Sequence, residues 1–281
     1  MIIAIFYNTG KKQTSTVASD ITKYLRNKHI KVVSDDNEAA SIGAEPISSI
    51  NGSAVDFIIS LGGDGTILRL LHRHPHLDAP ILAVNLGSLG FMADIRANEV
   101  EESLDNLLSN KFTVQSRLVI EGSTDQNKSN FAVNEIVIHR ANNPSIIDLA
   151  IYVDGRYLNT FAADGIIIST PSGSTAYSLS AGGPILTPEL DALVLTPINP
   201  HTISNRPIVL MPKNEIRVEY ISDHSPVEIT YDGLPCFTMR TGESLTITRS
   251  KRFFKLVCMP NHDYFSTLRD KLGWTGKLRG T

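Results

Sequence analysis

The feature that most constrains the fold is a short apolar run, in residues 56–66, that stops at three glycines placed around one carboxylate. The run is β-rich and ended by glycine, which predicts a buried strand, and residues 67–72 have the pattern of a helix start. A strand, a glycine turn and a helix N-terminus present backbone N–H groups and a positive dipole end to a phosphate. Four residues around the carboxylate, Asp64, are candidate phosphate contacts: Gly62, Gly63, Gly65 and Thr66. The alternative is a tight turn with a helix-capping Asp, and the motif alone leaves both open.

Strand and helix patterns alternate through residues 1–111. In chain order, the periodicity predicts a strand at 1–6, a helix at about 14–28 and a strand at 30–33. Residues 35–54 are expected to be a surface connection with one helical turn. A strand at 80–85 and a helix that starts with a capping box at Asn98 and Glu101 are predicted further along the chain. Such alternation predicts a parallel α/β sheet. Ligands bind such sheets beyond the carboxyl ends of the strands, which is where the glycine clusters fall.

Between residues 112 and 259 the pattern changes to short β-segments separated by turn signals, which predicts an antiparallel, sandwich-like β domain. The candidate strands are 113–122, 131–139, 146–153, 157–162, 165–170, 208–211, 216–221, 227–231, 245–248 and 253–259. Two pairs, Asp154-Gly155 and Asp232-Gly233, lie between strands and are expected to be hairpin turns that need no further role. The segment 264–274 predicts a closing helix whose apolar face carries Phe265, Leu268 and Leu272.

The composition restricts the number of domains, the kinds of partner and the compartment that we expect. A chain of 281 residues with 42% hydrophobic residues is long enough to bury a core in one large or two ordinary domains. The net charge of −3, from 26 basic and 29 acidic residues, gives no basic excess for a nucleic-acid partner. No apolar stretch approaches a membrane span and residues 1–6 lack signal-peptide features, so we expect a cytoplasmic protein. Cys236 and Cys258 have no metal-ligand spacing and are expected to be buried thiols in a reducing compartment.

A second polar cluster occupies residues 164–183, where an apolar strand leads into a hydroxyl-rich turn and a short helix. The main-chain N–H groups and hydroxyls of such a turn can bind phosphate or ribose oxygens, with Gly173 and Ser174 as the phosphate candidates. Asp164, at the start of the strand, can accept hydrogen bonds from a ribose, an amide or an amino group. The alternative is a helix capped by Ser or Thr after a strand.

Two smaller polar features add candidates. Asn134 and Glu135 interrupt an otherwise apolar strand-like run, so at least one of them should meet a polar partner, because unpaired polar groups in a core are costly. A solvated edge position is the alternative for this pair. Three histidines, at positions 72, 74 and 76, alternate along the chain around a proline, and a solvated helix end explains that spacing better than a metal site.

Together the three clusters resemble the NAD kinase family. The shared motifs cover most of the chain and comprise LGGDGT at 61–66, NLGSLGFM at 85–92, VNE at 133–135, the stretch 164–188 and the tail 265–274. The GGDG element also occurs in lipid kinases and phosphofructokinases, whereas the hydroxyl-rich stretch is highly specific. The resemblance implies an α/β Rossmann-like N-terminal domain at 1–111, a β-rich NAD-binding domain at 112–259 and a C-terminal helix at 260–281 that docks on the first domain. It also implies phosphorylation of the adenosine-ribose 2′-hydroxyl of NAD to give NADP.

The resemblance further implies roles for particular residues. Asp64 corresponds to the proton acceptor, and Gly65 and Arg69 line the nucleotide site. Asn134 and Glu135 correspond to the pair that holds the adenosine part. The remaining implied NAD contacts are Asp164, Thr175, Ala176, Tyr177, Ser178, Leu179 and Ser180. Two positions depart from the family pattern: Ala162, where a basic residue is common, and Leu234, where a glutamine is common.

The implied reaction is an in-line phosphoryl transfer, in which catalysis rests on positioning and charge stabilisation. A carboxylate is a weak base, so we expect Asp64 to orient the 2′-hydroxyl and to accept its proton late in the transfer. A divalent cation, Mg²⁺ on the triphosphate of the donor, is expected to neutralise the developing charge, and no protein metal site is assigned. ATP, another triphosphate and polyphosphate stay open as donors, as does NADH as acceptor. The resemblance implies a homo-oligomer, a dimer or tetramer, whose interface a single sequence does not identify.

Two other functions are compatible with parts of the sequence. A diacylglycerol-type lipid kinase shares residues 62–66, but the turn at 85–91 differs from that family and no membrane-binding amphipathic helix is evident. A non-catalytic dinucleotide-binding sensor is less consistent with the retention of Asp64. A turnover assay separates the sensor from the enzyme.

Overall fold

The computed structural model describes residues 1–10, 12–87, 89–211, 215–260, 263–274 and 276. It divides into two compact units. The first unit is formed by Met1–Gln115 with Lys255–Thr281, and the second unit is Ser116–Phe254. Each unit has its own hydrophobic core.

The elements are numbered in chain order. The helices are α1 (Lys12–Asn27), α2 (Ala39–Ile42), α3 (Asp64–Arg73), α4 (Val100–Leu108), α5 (Tyr177–Ser180) and α6 (Tyr264–Leu272). The strands up to residue 124 are β1 (Ile2–Tyr7), β2 (Lys31–Ser34), β3 (Glu45–Pro46), β4 (Phe57–Gly62), β5 (Ile81–Asn85), β6 (Ile95–Arg96) and β7 (Thr113–Thr124). The later strands are β8 (Ser129–Ala132), β9 (Glu135–His139), β10 (Ile147–Val153), β11 (Arg156–Ala163), β12 (Gly165–Ser169), β13 (Leu193–Ile198), β14 (Ile208–Leu210), β15 (Glu215–Tyr220), β16 (Val227–Tyr231), β17 (Leu234–Met239) and β18 (Ser244–Cys258).

The first unit is built on a parallel sheet with the strand order β5-β4-β1-β2-β3. Ile5 of β1 lies beside Ile59 of β4, which in turn lies beside Leu82 of β5. All three side chains are fully buried, as is typical of parallel strands that are covered on both faces. The carboxyl ends of β4 and β5 meet where Gly62 pairs with Asn85. The predicted α/β alternation is confirmed, and it brings both glycine-ended strands to one edge of the sheet.

Two local predictions in this unit need correction. The single helical turn expected in the segment 35–54 is confirmed as α2, but the segment also contains β3 and two 3₁₀ turns, which were not expected. These elements are too short for a periodic pattern to reveal them. The helix expected to start with a cap at Asn98 is preceded by a 3₁₀ turn, and the Glu99 carboxylate accepts a hydrogen bond from the Arg96 N–H at 2.8 Å. The capping interaction therefore lies two residues earlier than predicted.

The closing helix α6 is confirmed, with one correction to its apolar face. The Asp263 carboxylate caps its start by accepting the N–H groups of Phe265 and Ser266, both at 3.1 Å. Gly273 ends it in the left-handed region with φ 64°. Leu268 is buried, whereas the side chain of Phe265 is 55% exposed, so Phe265 is not part of the packed face.

The second unit consists of antiparallel sheets. One has the order β14-β13-β12-β9-β16-β17, and the other runs β11-β10-β15-β18, with β7 beside β18 and β8. Alternate residues of the two sheets, such as Ile136 and Ile138 of β9 and Leu149 and Ile151 of β10, belong to one buried cluster. This is the packing of a β-sandwich. The fold class expected from the sequence, an α/β domain followed by an antiparallel β-rich domain, is confirmed.

Sequence patterns missed two strands of this unit, divided a third, and joined β8 and β9 into the one strand expected at 131–139. β13 and β17 contain Pro197 and Pro235, and a proline lowers the strand signal. Both prolines are tolerated, because β14 pairs only with residues 193–195 of β13 and β17 is an edge strand. The two strands expected at 245–248 and 253–259 are one continuous strand, β18, in which the polar residues between them alternate, with Arg249 and Lys251 exposed and Ser250 buried.

Expectations for the cysteines and histidines were partly wrong. Cys236 is exposed and Cys258 is half-buried, so neither is a core thiol. His74 is only 8% exposed, with its ring 4.9 Å from that of Phe6 and its Nε2 3.4 Å from Asp35 Oδ2, so it does not lie in a solvated helix end. Among the described residues, no group of three or more His, Cys, Asp or Glu side chains is placed to hold a metal ion. No described helix is both long and apolar enough to cross a membrane.

Candidate functional site

Asp64 lies where β4 passes into α3. Gly63 is the N-cap of α3, and Asp64 is the first helical residue. Its carboxylate accepts three successive backbone N–H groups from a distant loop: Phe91 at 2.8 Å, Met92 at 3.1 Å and Ala93 at 2.9 Å. The carboxylate therefore binds the loop that follows β5, which differs from the helix-capping role weighed from the sequence.

Gly90 and Asn85 shape the loop that holds Asp64. A Cβ atom on Gly90 would lie 2.1 Å from Asp64 Oδ1, so only glycine allows this approach. Asn85 ties the loop to the sheet, because its side chain donates to the Ala93 carbonyl at 3.1 Å and accepts the Gly87 N–H at 2.7 Å. Ser88, within the same motif, lies outside the described residues. The motif at 85–92 thus acts as a cradle for the Asp64 carboxylate.

The anchored carboxylate keeps part of its acceptor capacity. A carboxylate has about four lone-pair positions, and three are used by the loop N–H groups. Asp64 is half-buried, and the loop N–H groups leave one acceptor position unused. Since the three bonds fix the carboxylate in place, it can accept one further hydrogen bond with little loss of conformational freedom.

The other predicted residues of this motif differ in accessibility. A Cβ on Gly62 would meet Thr66 Oγ1 at 2.3 Å, and Thr66 itself is buried, so these two residues pack against each other. A Cβ on Gly63 would meet no atom within 4 Å. Gly65 and Arg69 are exposed on α3, one turn apart. Gly63 and Gly65 are thus the phosphate candidates whose backbone is open to a ligand.

The pair Asn134-Glu135 lies in the second unit, where β8 ends and β9 begins. The residues are 7% and 6% exposed, which excludes the solvated edge position. Asn134 Oδ1 and Glu135 Oε2 are buried and have no hydrogen-bond partner among the described residues, and the same holds for Ser172 Oγ. Buried polar atoms are nearly always hydrogen-bonded. Three orphaned atoms, on residues 134, 135 and 172, therefore indicate a site that a polar ligand completes.

Glu135 has an unusual protonation state. Burial raises the pKa of its carboxyl from 4.5 to about 8, and the negative charge of Asp232 adds to this rise. The hydrogen bond that the Tyr177 backbone N–H donates to the carboxyl acts in the opposite direction. Glu135 is consequently neutral at pH 7 and can donate a hydrogen bond as well as accept one.

Glu135 opens onto a cavity of about 570 Å³ that lies within the second unit. Asp164 and Tyr177 also line it, so three of the NAD contacts implied by the resemblance meet there. The carboxylate of Asp164 is already engaged, with Arg140 Nε at 2.8 Å and Asn199 Nδ2 at 3.0 Å. The cavity thus combines a neutral carboxyl, an ion pair and the partly exposed ring of Tyr177.

Most of the hydroxyl-rich turn has a structural role. The Ser174 hydroxyl donates to the Pro171 carbonyl at 2.7 Å and accepts the Leu186 N–H at 2.9 Å. Gly173 donates its N–H to Thr170 Oγ1 at 3.1 Å, and a Cβ on Gly173 would lie 2.1 Å from the Asn134 carbonyl oxygen. The hydrogen-bonding groups of Gly173 and Ser174 are therefore used inside the protein, which argues against the phosphate contacts expected from the sequence.

The residues that follow have mixed environments. The turn is a 3₁₀ segment, Ser172–Thr175, and α5 has only four residues. Ser178 is fully buried and pairs with Thr196 through their hydroxyls at 2.9 Å. Thr175, Ala176 and Leu179 are half-buried, and Ser180 is exposed. Tyr177 is thus the member of the implied run 175–180 that lines the cavity.

The structure adds two residues that sequence reasoning missed. Arg140 faces Asp164 in the cavity, whereas Ala162, the position where the family often has a basic residue, is half-buried in β11. Asp232 was interpreted as a turn residue alone, but its carboxylate accepts the N–H groups of residues 133–135. Neither contact has a local sequence signal. Leu234 is 37% exposed at the start of β17.

The comparisons with known proteins agree with this geometry. The chain matches the family described as "ATP-NAD kinase N-terminal domain" over residues 3–112 and "ATP-NAD kinase C-terminal domain" over residues 133–259. A protein named NAD kinase from Protochlamydia amoebophila (strain UWE25) is 56% identical over 278 residues, covering 99% of this chain and 100% of the relative. A second NAD kinase, from Syntrophotalea carbinolica, is 38% identical over 279 residues, with 97% and 98% coverage.

Two solved structures are similar over nearly the whole chain. Yeast NADH kinase complexed with NADH has a TM-score of 0.88 at 27% identity, covering 100% of this chain and 90% of that chain. A kinase from Archaeoglobus fulgidus in complex with ATP has a TM-score of 0.76 at 26% identity, with 98% and 100% coverage.

Proposed function

Because the chain belongs to the NAD kinase family and phosphorylates NAD to NADP, we propose that Asp64 accepts the proton of the 2′-hydroxyl and that Asn134 and Glu135 hold the adenosine part. The observation that carries the assignment of the pair is the orphaned state of Asn134 Oδ1 and Glu135 Oε2 at a buried site. NAD and ATP are the substrates, in keeping with the NADH and ATP complexes of the two similar kinases. The relatives give no support to a lipid kinase or a non-catalytic sensor.

Asp64 is suited to its role by its anchoring. Three N–H donors fix the carboxylate and leave one acceptor position for the 2′-hydroxyl. Holding an acceptor hydroxyl in line with the donor phosphorus supplies much of the rate in phosphoryl transfer. The proton moves to Asp64 late in the transfer, because the hydroxyl becomes a strong acid only as its oxygen bonds to phosphorus.

The adenosine part of NAD fits the chemistry of the second unit. Asn134 Oδ1 accepts from an exocyclic amino group or a hydroxyl, and the neutral Glu135 carboxyl both donates and accepts. The exposed face of Tyr177 offers a stacking surface for the base. The carboxylate of Asp164 holds Arg140 in the cavity, and with two of its about four acceptor positions used it can also accept a hydrogen bond from NAD.

The divalent cation enters with the donor. Among the described residues no three candidate ligands lie together, whereas Mg²⁺ commonly binds through substrate phosphates, several waters and one or two carboxylates. Bound in this way, Mg²⁺ would neutralise the charge that develops on the phosphoryl oxygens. The homo-oligomer implied by the resemblance stays a prediction, which sedimentation velocity tests.

The test of the catalytic assignment is Asp64→Asn. Asparagine keeps the shape, removes the charge and replaces one acceptor oxygen by a donor, so we expect kcat for NADP formation to fall at least about a hundredfold. NADP is read with an NADP-specific dehydrogenase, and thermal unfolding monitors folding. The matched control is Asp56→Asn, because Asp56 is an exposed residue before the same strand whose carboxylate also accepts a backbone N–H, that of Ile2 at 2.7 Å. Near-normal turnover of Asp64→Asn would show that Asp64 is not the proton acceptor.

A further inference from the structure

We propose that Asp232 is a positioning residue for NAD binding, whose carboxylate sets the backbone geometry from which Asn134 and Glu135 present their side chains to the ligand. The proposal rests on the proposed role of this pair in holding adenosine. It gives Asp232 a function that its place in a hairpin turn does not require.

The turn itself needs little from the Asp232 side chain. Asp232 and Gly233 have φ values of 51° and 77°, which a two-residue hairpin with this twist requires. Asp154 and Gly155, between β10 and β11, have nearly the same values, 52° and 73°. The carboxylate of Asp154 is exposed, so the same turn forms where the side chain faces solvent. The two hairpins differ in what their aspartates contact.

The Asp232 carboxylate binds three successive backbone N–H groups. Oδ2 accepts from Val133 at 2.9 Å, and Oδ1 accepts from Asn134 at 2.7 Å and Glu135 at 3.2 Å. In return, the Asp232 N–H donates to the Glu135 carbonyl at 3.0 Å. Because these N–H groups lie where β8 has ended and β9 begins, a buried acceptor is needed to satisfy them.

The opposite side of the same backbone segment is held by Thr170. Its hydroxyl donates to the Val133 carbonyl at 2.6 Å, and its N–H donates to the Asn134 carbonyl at 2.8 Å. Asp232 therefore completes a clamp in which the N–H groups and the carbonyls of the segment are fixed separately. The side chains of Asn134 and Glu135 leave this clamp with one buried oxygen each, Oδ1 and Oε2, that has no partner within the described part of the chain.

Besides its hydrogen bonds to the backbone, Asp232 affects Glu135 through its negative charge. Burial and the Asp232 charge both raise the pKa of the Glu135 carboxyl. The other charged or ionisable side chains around the cavity are those of His139, Arg140, Asp164 and Tyr177, and Glu228 lies 3.9 Å from His139. A neutral Glu135 can donate to NAD and does not repel its pyrophosphate, so the neutral form favours binding.

The experiment compares Asp232→Asn and Asp232→Glu with Asp154→Asn, with wild-type NADP formation established first. Asparagine offers one acceptor oxygen in place of two, so we expect KM for NAD to rise about tenfold or more with kcat changed less than about threefold. Asp154→Asn should leave KM unchanged. In wild type, KM for NAD should rise as pH increases through about 8, where Glu135 ionises. In Asp232→Asn this rise should begin at lower pH, because the charge that opposes ionisation is gone.

The second variant separates charge from geometry. Asp232→Glu keeps the charge but moves the carboxylate, so KM should rise while the pH at which it changes stays closer to that of wild type. Each pH series is repeated in a His139→Gln background, because His139 is also ionisable. An unchanged KM in either Asp232 variant overturns the proposal, as does an Asp232→Asn profile with the wild-type pH dependence. If Asp232→Asn does not fold, the KM of Asp232→Glu for NAD alone tests the positioning role of Asp232. Absence of NADP formation by wild type would instead overturn the proposed function.

Discussion

Gly90→Ala tests whether the anchored geometry of Asp64 matters for catalysis. The added Cβ would lie 2.1 Å from Asp64 Oδ1, about 1.3 Å short of the 3.4 Å at which ordinary contact begins. Either the carboxylate or the loop must move by about that distance. A movement of this size breaks hydrogen bonds that are now 2.8–3.1 Å long.

The magnitude follows from those bonds. A hydrogen bond to a charged group contributes roughly 1.5–3 kcal/mol to stability, and we expect one or two of the three to be lost. The alanine also restricts the unfolded chain, which offsets roughly 0.4–1 kcal/mol. The net loss in the free energy of unfolding should be roughly 1–5 kcal/mol. A displacement of about 1 Å of the proton-accepting group should lower kcat about a hundredfold.

The assay combines urea unfolding with NADP formation, and Gly63→Ala is the matched control. Gly63 has φ −126° and no atom within 4 Å of an added Cβ, so its variant should lose at most about 1 kcal/mol of the free energy of unfolding, from the poorer N-cap. Its activity reports separately on whether a phosphate occupies the space beside Gly63. A Gly90→Ala enzyme with wild-type stability and kcat within about threefold of wild type would refute the reasoning.

Two further predictions concern protonation and the cation. The pKa of the Glu135 carboxyl is about 8 in the folded protein and 4.5 in the unfolded chain, so between these pH values the folded protein holds a proton that the unfolded chain releases. The contribution of this proton to the free energy of unfolding is complete below about pH 4.5 and is lost as pH rises to about 8. Glu135→Gln should therefore weaken the decline in the free energy of unfolding over that range, measured by urea titration, and an unchanged decline would contradict the pKa shift. Removal of divalent cations with EDTA should abolish NADP formation and leave thermal unfolding unchanged, since no metal cluster is found among the described residues; a large fall in Tm would indicate a structural metal instead.

Local sequence patterns were sufficient for much of the fold. The glycine-ended strands β4 and β5, the helix α6 with its glycine cap and both Asp-Gly hairpins were predicted from periodicity and turn chemistry alone. These features depend on φ and ψ preferences and on the spacing of apolar residues, which act over a few neighbours. Two-residue strands, such as β3 and β6, were missed because a periodic pattern needs a longer window.

Burial was harder to predict for single side chains. Cys236 was expected in the core and is exposed, while His74 was expected in solvent and is buried against Phe6. In each case the local pattern gives only the average preference of the residue type. The actual exposure depends on which other elements pack nearby, and that information is spread over the whole chain.

The sequence by itself determined the two-part architecture, the turns and the carboxylate at the centre of the first motif. Only the tertiary structure decided which backbone groups the carboxylates bind. Asp64 binds N–H groups 27–29 residues away, and Asp232 binds N–H groups 97–99 residues away. Strand order and register bring these partners together, and an unpaired N–H group anywhere in a buried loop is satisfied by whichever acceptor the packing places beside it. For that reason the sequence indicates only a local turn at Asp232, whereas in the folded protein its carboxylate holds the backbone of Asn134 and Glu135.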